Sequence, residues 1–144
     1  MKKWNKLFGL IVIAGLTVTA TSCNKVKDGK VITDTYDGNV SVTSTGANAG
    51  GDFTGTGDNG VYAFGWENNK SKAEVNFDIT TPTGSLNFKL EDADKKEVLN
   101  ETRYAGSNDT YSGVSLAGAS GVWTVTLTFS DFNGNGSYSL SPID

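Results

Sequence analysis

Cys23 is the residue whose type and position define the sharpest chemistry, and it is the only cysteine among 144 residues. No histidine is present, which removes the commonest general base and the commonest metal ligand. One thiol without an imidazole builds neither a Ser-His or Cys-His nucleophile nor a zinc site. Acids are plentiful, 16 against 12 basic residues, yet sequence alone sets no pair of them across a cleft as a glycosidase needs. Asp131-Phe132-Asn133-Gly134-Asn135-Gly136 follows the first half of a calcium loop, D-x-N-x-N-G. Such a loop closes with a bidentate Glu at its twelfth position, where this chain has Pro142. The segment lies between two strong strand patterns, so its Asn-Gly steps read first as a hairpin turn, with calcium the lesser alternative. Glu91, Asp92 and Asp94 read as solvated charge at a turn. No catalytic residue, metal site or cofactor is assigned.

What precedes Cys23 gives it a role. Lys2, Lys3 and Lys6 stand before an uncharged apolar run, Leu7–Leu16, and small and hydroxyl residues fill Thr17–Ser22. A basic segment, a short apolar segment and a small-residue cleavage zone make an export signal. A retained membrane helix would need about 20 apolar residues, more than this stretch supplies. Ala20-Thr21-Ser22-Cys23 resembles a lipobox, the site at which lipoprotein signal peptidase cuts before a lipid-bearing cysteine, although Ala20 stands where that motif usually has leucine. The resemblance implies a bacterial envelope lipoprotein: signal peptide over 1–22, lipidation at Cys23, a lipidated tether over 23–29 and a folded domain over 30–144. It implies localisation at the cell envelope, most often the outer membrane, with the membrane a partner through the lipid. Two acyl chains already hold a protein stably on a bilayer.

Removing residues 1–22 leaves 122 residues, enough for one domain. Three of the 12 basic residues and none of the 16 acidic ones lie in the signal, so the remainder carries −7. An acidic body lacks the basic footprint that nucleic acid requires, and nucleic acid is excluded as a partner. No disulfide can staple the domain, so a packed core must hold it.

Period-two alternation dominates the rest. Val31–Tyr36 and Asn39–Thr43 flank Asp37-Gly38, which predicts a hairpin. A Gly/Asn/Ala loop over Gly46–Gly51 and a weak strand near Phe53 follow, and Gly57-Asp58-Asn59-Gly60 predicts another turn. Tyr62, Phe64 and Trp66 share one face of a strand whose Val61 and Ala63 are apolar too. Ala73, Val75, Phe77 and Ile79 point inward on the next strand, which Thr81-Pro82-Thr83-Gly84 is expected to end because Pro cannot donate to a ladder. Leu86, Phe88 and Leu90 line another strand, Glu97–Tyr104 and Tyr111–Leu116 two weaker ones. Trp123, Val125, Leu127 and Phe129 line the strongest. Asn133-Gly134-Asn135-Gly136 is expected to turn it into Ser137–Leu140. The expectation is all-β: an antiparallel β-sandwich, jelly-roll or Ig-like, of about eight or nine strands after a cleaved N-terminal signal helix.

Leu86-Asn87-Phe88-Lys89-Leu90, the acidic turn Asp92-Ala93-Asp94, and Gly121–Leu127 followed by a glycine turn resemble accessory β-sandwich modules of secreted bacterial proteins, including the pre-peptidase C-terminal type. The resemblance spans Gly84–Leu140 and implies a small non-catalytic module. Such modules are usually appended to enzymes, for which this chain has no room.

Trp123 reads as core, while Trp66 at a strand end could be exposed. Tyr104 and Tyr111, flanking Gly106-Ser107-Asn108-Asp109, are the better candidates for a surface patch. The expected function is therefore a non-catalytic binding or interaction module with a protein or glycan partner, met through loops or a sheet edge. Carbohydrate binding is the alternative within that class, and a small carboxylate-based hydrolase the alternative from another.

Overall fold

The computed structural model describes residues 28–106 and 108–144, without the side chains of Pro82, Asn108 and Asp109. The expected signal helix, Cys23 and residues 24–27 lie outside the described residues. The described chain forms one antiparallel sheet of eight strands. Three are very long: β4 (Asn48–Asn68), β5 (Lys72–Glu91) and β8 (Gly121–Ile143), where about 5–6 residues is usual. They run side by side with β8 between β4 and β5.

Each long strand changes inward parity halfway. In β8 the buried residues are Trp123, Val125, Leu127 and Phe129, and then Phe132, Tyr138 and Leu140. In β5 they are Ala73, Val75, Phe77 and Ile79, and then Leu86, Phe88 and Leu90. In β4, Ala49 and Phe53 give way to Tyr62, Phe64 and Trp66. A one-residue slip would expose half of each core face, so an extra residue must be absorbed at the changeover. It is absorbed as bulges: the pairing shifts register at Thr56/Asp58/Gly60 and at Thr80/Thr83/Ser85. Asp131 supplies the matching irregularity in β8 with φ 45°. The three bulges form a common corner, across which the sheet folds back on itself into two packed leaves. Ring contacts cross between leaves: Phe77 stacks on Phe88 at 5.4 Å, and Tyr138 lies 6.0 Å from both Phe64 and Phe88.

Leaf A contains 48–56, 72–80 and 133–143; leaf B contains 60–68, 85–91 and 121–130. One edge is a broken strand laid along β4: β1 (Val31–Asp34) in leaf B, then β2 (Asn39–Val40) and β3 (Thr43–Thr45) in leaf A. The other edge lies along β5: β6 (Glu97–Tyr104) in leaf B and β7 (Asn108–Val114) in leaf A. The antiparallel β-sandwich expected from alternation is thus observed, built from a single folded sheet.

Several expected turns are corrected. Asp37-Gly38 closes no hairpin, because β1 and β2 both pair with β4 and not with each other. The physical reason is Tyr36, which turns inward at the corner, stacks on Phe129 at 3.8 Å and donates to the Thr54 carbonyl at 3.0 Å. Asn48–Gly51 is strand, not loop. Gly57–Gly60 and Thr81–Gly84 are bulged strand and Asn133–Gly136 is unbroken ladder with β4, none of them a chain reversal. Pro82 falls in the register gap of β5, where no ladder bond is asked of it. Gly84 shows why the corner needs glycine: φ is +83°, and a Cβ there would collide with the Asp131 carbonyl. Asn59 and Asp131 join β4 to β8 by two reciprocal hydrogen bonds, Nδ2 to Oδ1 at 3.0 Å and backbone N–H to Oδ1 at 2.9 Å.

At the opposite end the crossings 69–71 and 115–120 join the leaves. Trp66 and Trp123 fill it edge to face at 6.0 Å, each buried, with Nε1 donating to Ala47 and Ala119 carbonyls. Asp92 is not solvated charge. It is buried, and its carboxylate accepts the backbone N–H groups of Asp94, Lys96 and Ala119, each at 2.9 Å. The tether expected to end at Gly29 is already clamped to β4: Asp28 Oδ1 accepts the Glu67 N–H at 2.8 Å and the Gly29 N–H donates to the Gly65 carbonyl at 2.7 Å.

Candidate functional site: the groove between β6 and β7

β6 and β7 pair with different halves of β5 and so become the facing edges of the two leaves on one flank. Between them the interior opens into a groove of about 340 Å³. That volume falls inside the range of ligand pockets, about 300–1,000 Å³, whereas depressions at Trp66 and at Phe77, about 220 Å³ and 130 Å³, fall below it.

On β6 the wall is made by Glu97, Leu99, Asn100 and Glu101; on the β7 side it is made by Tyr111, Val114 and Leu116. Val114 and Leu116 are 54% and 67% exposed, among the few large apolar side chains that water reaches. The Leu116 N–H donates to the Val98 carbonyl at 2.9 Å and ties the two edges together. Asn100 Nδ2 donates to Glu97 Oε2 at 3.2 Å, which fixes one carboxylate along the rim.

Tyr111 is the fixed element. Its ring stacks on Phe77 at 4.7 Å, and the Arg103 guanidinium lies 5.2 Å from its centroid and 5.8 Å from that of Phe77. Arg103 thus spans from leaf B to leaf A, a cation–π contact that closes the flank beneath the groove. Burial pushes the Tyr111 phenol up, the Glu101 charge adds to this, and the Arg103 charge opposes it. Gly113 lets the ring lie flat along its own strand, since a Cβ there would meet the Tyr111 hydroxyl. The arrangement offers an aromatic edge, an apolar floor and hydrogen-bond acceptors in one trench.

The sequence candidates distribute unevenly. Tyr111 lines the groove; Tyr104, at 68% exposure, sits at the far end of β6 and is the one large exposed aromatic among the described residues. Tyr62, Phe64, Trp66 and Trp123 are core. Asn133 and Asn135 lie on extended strand paired on both sides, while Asp131 stands unpaired at the bulge before them, held by Asn59. Residues two apart on a strand are separated by about 6.6 Å, so they do not wrap one ion as a calcium loop does. Glu97, Asn100, Glu101 and Leu116 were not singled out by sequence reasoning.

Neither a family model nor a curated protein sequence matches the chain. Solved structures share its fold distantly. The module TmCBM61 in complex with β-1,4-galactotriose is 12% identical over 74% of this chain and 89% of that chain, with a TM-score of 0.48. A structure described as CBM4 is 12% identical over 74% and 78%, at 0.43. The C-terminal CBM6 of LamC from Zobellia galactanivorans is 10% identical over 81% and 96%, at 0.40. At these scores the likeness carries no functional argument. The class that the fold defines is a single-sheet, folded β-sandwich.

Proposed function

We propose that the chain is a non-catalytic glycan-binding module, held at the cell envelope by a lipid on Cys23, and that the β6–β7 groove is its binding site. The observation that carries this reading is the composition of the groove. A sugar presents an apolar C–H face and a rim of hydroxyl donors; Tyr111, Leu99, Val114 and Leu116 match the first, and Glu97, Asn100 and Glu101 the second. The reading rests on the groove, not on distant fold likeness.

Glu97 and Glu101 share this groove, which is what favours a hydrolase as the second reading. A bulge falls between them, with Leu90 pairing Leu99 and Glu91 pairing Glu97, so their side chains leave β6 on opposite faces. A glycosidase pair works at about 5–9.5 Å between carboxyl groups. The Glu97 carboxylate is also engaged as an acceptor, by Asn100 Nδ2.

Affinity gel electrophoresis of the Cys23–Asp144 protein in gels containing neutral polysaccharides tests binding. At least one neutral polysaccharide is expected to retard migration. Tyr111→Ala is expected to weaken that retardation about ten-fold, the size of one aromatic contact. Leu116→Ser, at an exposed position, should weaken it while leaving the thermal midpoint within about 2 °C. If no neutral polysaccharide slows the protein, the reading fails. For the anchor, Cys23→Ala is expected to abolish labelling by radioactive palmitate in cells while the β-sandwich still folds, because that residue precedes the described domain. Continued labelling of the variant would contradict lipidation at Cys23.

A further inference from the structure

Resting on the lipid anchor proposed at Cys23, we infer that the end of the sandwich holding the crossings 69–71 and 115–120 is the face turned to an anionic phospholipid surface, with the folded corner pointing away from it. Charge is segregated along the long axis of the domain. All six lysines of the described residues, Lys30, Lys70, Lys72, Lys89, Lys95 and Lys96, lie in the half nearer the crossings. Lys30 lies beside Gly65, Lys70 belongs to a crossing and Lys72 follows it, and Lys89 lies opposite Thr126. Lys95 and Lys96 belong to the turn that Asp92 latches to Ala119. The half toward the corner carries Asp34, Asp37, Asp52, Asp58, Asp78 and Asp131 and no lysine. Arg103, the one cation of that half among the described residues, lies against the Phe77 and Tyr111 rings.

The crossing end also has acids, but several are engaged within the fold. Asp92 is buried under three backbone N–H groups, Asp28 accepts the Glu67 N–H, Asp144 is bridged by Lys70 at 2.7 Å and Glu91 by Lys89 at 3.5 Å. With Lys25 and Lys27 of the tether included, eight lysines balance eight carboxylates there, and Glu101 sits midway. An anionic leaflet therefore meets a balanced end and a strongly acidic one. Near such a surface each unit of charge shifts occupancy roughly five-fold. The effect fades over about 8 Å at physiological salt. A leaf of about nine residues is about 30 Å long, so an upright domain keeps the corner acids outside that range, while a domain lying flat brings some of them into it.

The anchor enters at the same end. Asp28 and Gly29 are fixed to β4 at Glu67 and Gly65, and the link from Cys23 to Asp28 reaches at most about 17 Å. The tether thus holds the crossing end near the bilayer, and charge sets the tilt. In this stance β6 rises from Glu97 near the membrane to Tyr104 far from it, and the β6–β7 groove opens sideways, clear of the lipid.

The test uses the acylated protein from membranes, reconstituted into vesicles of phosphatidylethanolamine with phosphatidylglycerol. Cys23 is occupied by lipid, so Ser71→Cys at a crossing and Ser130→Cys at the corner, both exposed positions, each supply one thiol for a fluorophore. Energy transfer to a headgroup-labelled acceptor lipid is expected to be at least about three-fold stronger from position 71 than from position 130. That ratio should fall about two-fold when phosphatidylcholine replaces phosphatidylglycerol, or in 0.5 M salt. Combining Asp34→Lys, Asp37→Lys and Asp78→Lys, none of them in the groove, should raise transfer from position 130. Equal transfer from both positions on anionic vesicles would overturn the inference and leave the anchor standing. So would a ratio indifferent to lipid charge, salt and the three substitutions, since the tether alone would then set the stance. A protein that carries no acyl chain and does not float with the vesicles would instead overturn the anchor, and this inference with it.

Discussion

Phe129→Ala is expected to cost about 3–5 kcal/mol of stability, the usual penalty for emptying a buried aromatic site. Phe129 stands where the folded sheet turns its corner. Its ring stacks on Tyr36 at 3.8 Å, meets Phe132 edge-on at 5.2 Å and tilts against Phe53 at 5.7 Å. Tyr36 belongs to the β1–β2 connection, Phe53 to leaf A, and Phe132 follows the bulge at Asp131. Removing Phe129 therefore undoes three contacts at once, and ordered backbone at the corner limits collapse into the space. Burial and the Asp58 charge push the Tyr36 phenol up to about 12. In the variant this phenol should titrate nearer its ordinary value of 10.0. Urea unfolding with absorbance titration of the tyrosines checks both. A loss under about 1 kcal/mol would mean that the corner is not held by this cluster.

Asp92→Asn carries the second large effect, about 2–4 kcal/mol, and it depends on pH in a defined direction. In the wild type Oδ1 takes the N–H groups of Asp94 and Lys96, and Oδ2 takes that of Ala119. Asparagine preserves the first two acceptances but turns an amide N–H₂ toward the Ala119 N–H. The turn 92–96 is then unlatched from the crossing that also accepts Trp123 Nε1 at Ala119. Burial pushes the Asp92 carboxyl up. The Ala119, Lys96 and Asp94 N–H groups and the Lys96 charge outweigh it, so its pKa ends below the ordinary 3.8. A lowered carboxyl pKa adds stability that is present above the unfolded value and lost as pH falls through the folded one. The gap between wild type and Asp92→Asn should therefore be full near pH 7 and narrow below about pH 4. A gap that stays constant into acid would show that the charge contributes nothing.

The strand cores were legible in the sequence, because alternation over Ala73–Ile79, Leu86–Leu90 and Trp123–Phe129 needs only neighbours two residues apart. The corner was not. Asp-Asn-Gly, Thr-Pro-Thr-Gly and Asn-Gly-Asn-Gly suit a hairpin and a bulge equally, since both call for positive φ and broken pairing. The discriminating signal was present but small: the apolar set resumes on the opposite parity, Phe129 then Phe132, as one inserted residue requires. Asp92 looked like its neighbours Glu91 and Asp94, because the donor that helps to bury it, Ala119, lies 27 residues along the chain. Tyr111 was legible as a candidate patch. Its partners in the groove were not, since Glu97, Glu101 and Leu116 meet it only once β6 and β7 have both paired with β5.

The central claim is that the β6–β7 flank binds a neutral glycan, and amide chemical-shift mapping tests it most directly. The Cys23–Asp144 protein, ¹⁵N-labelled, would be titrated with oligosaccharides released from whichever neutral polysaccharide retards it most. The account predicts saturable shifts at Glu97–Glu101 and at Tyr111–Leu116, with Asp28, Asn48 and Glu67 at the smaller depression unmoved. Shifts centred on that smaller depression, or on the outward faces of either leaf, would contradict it.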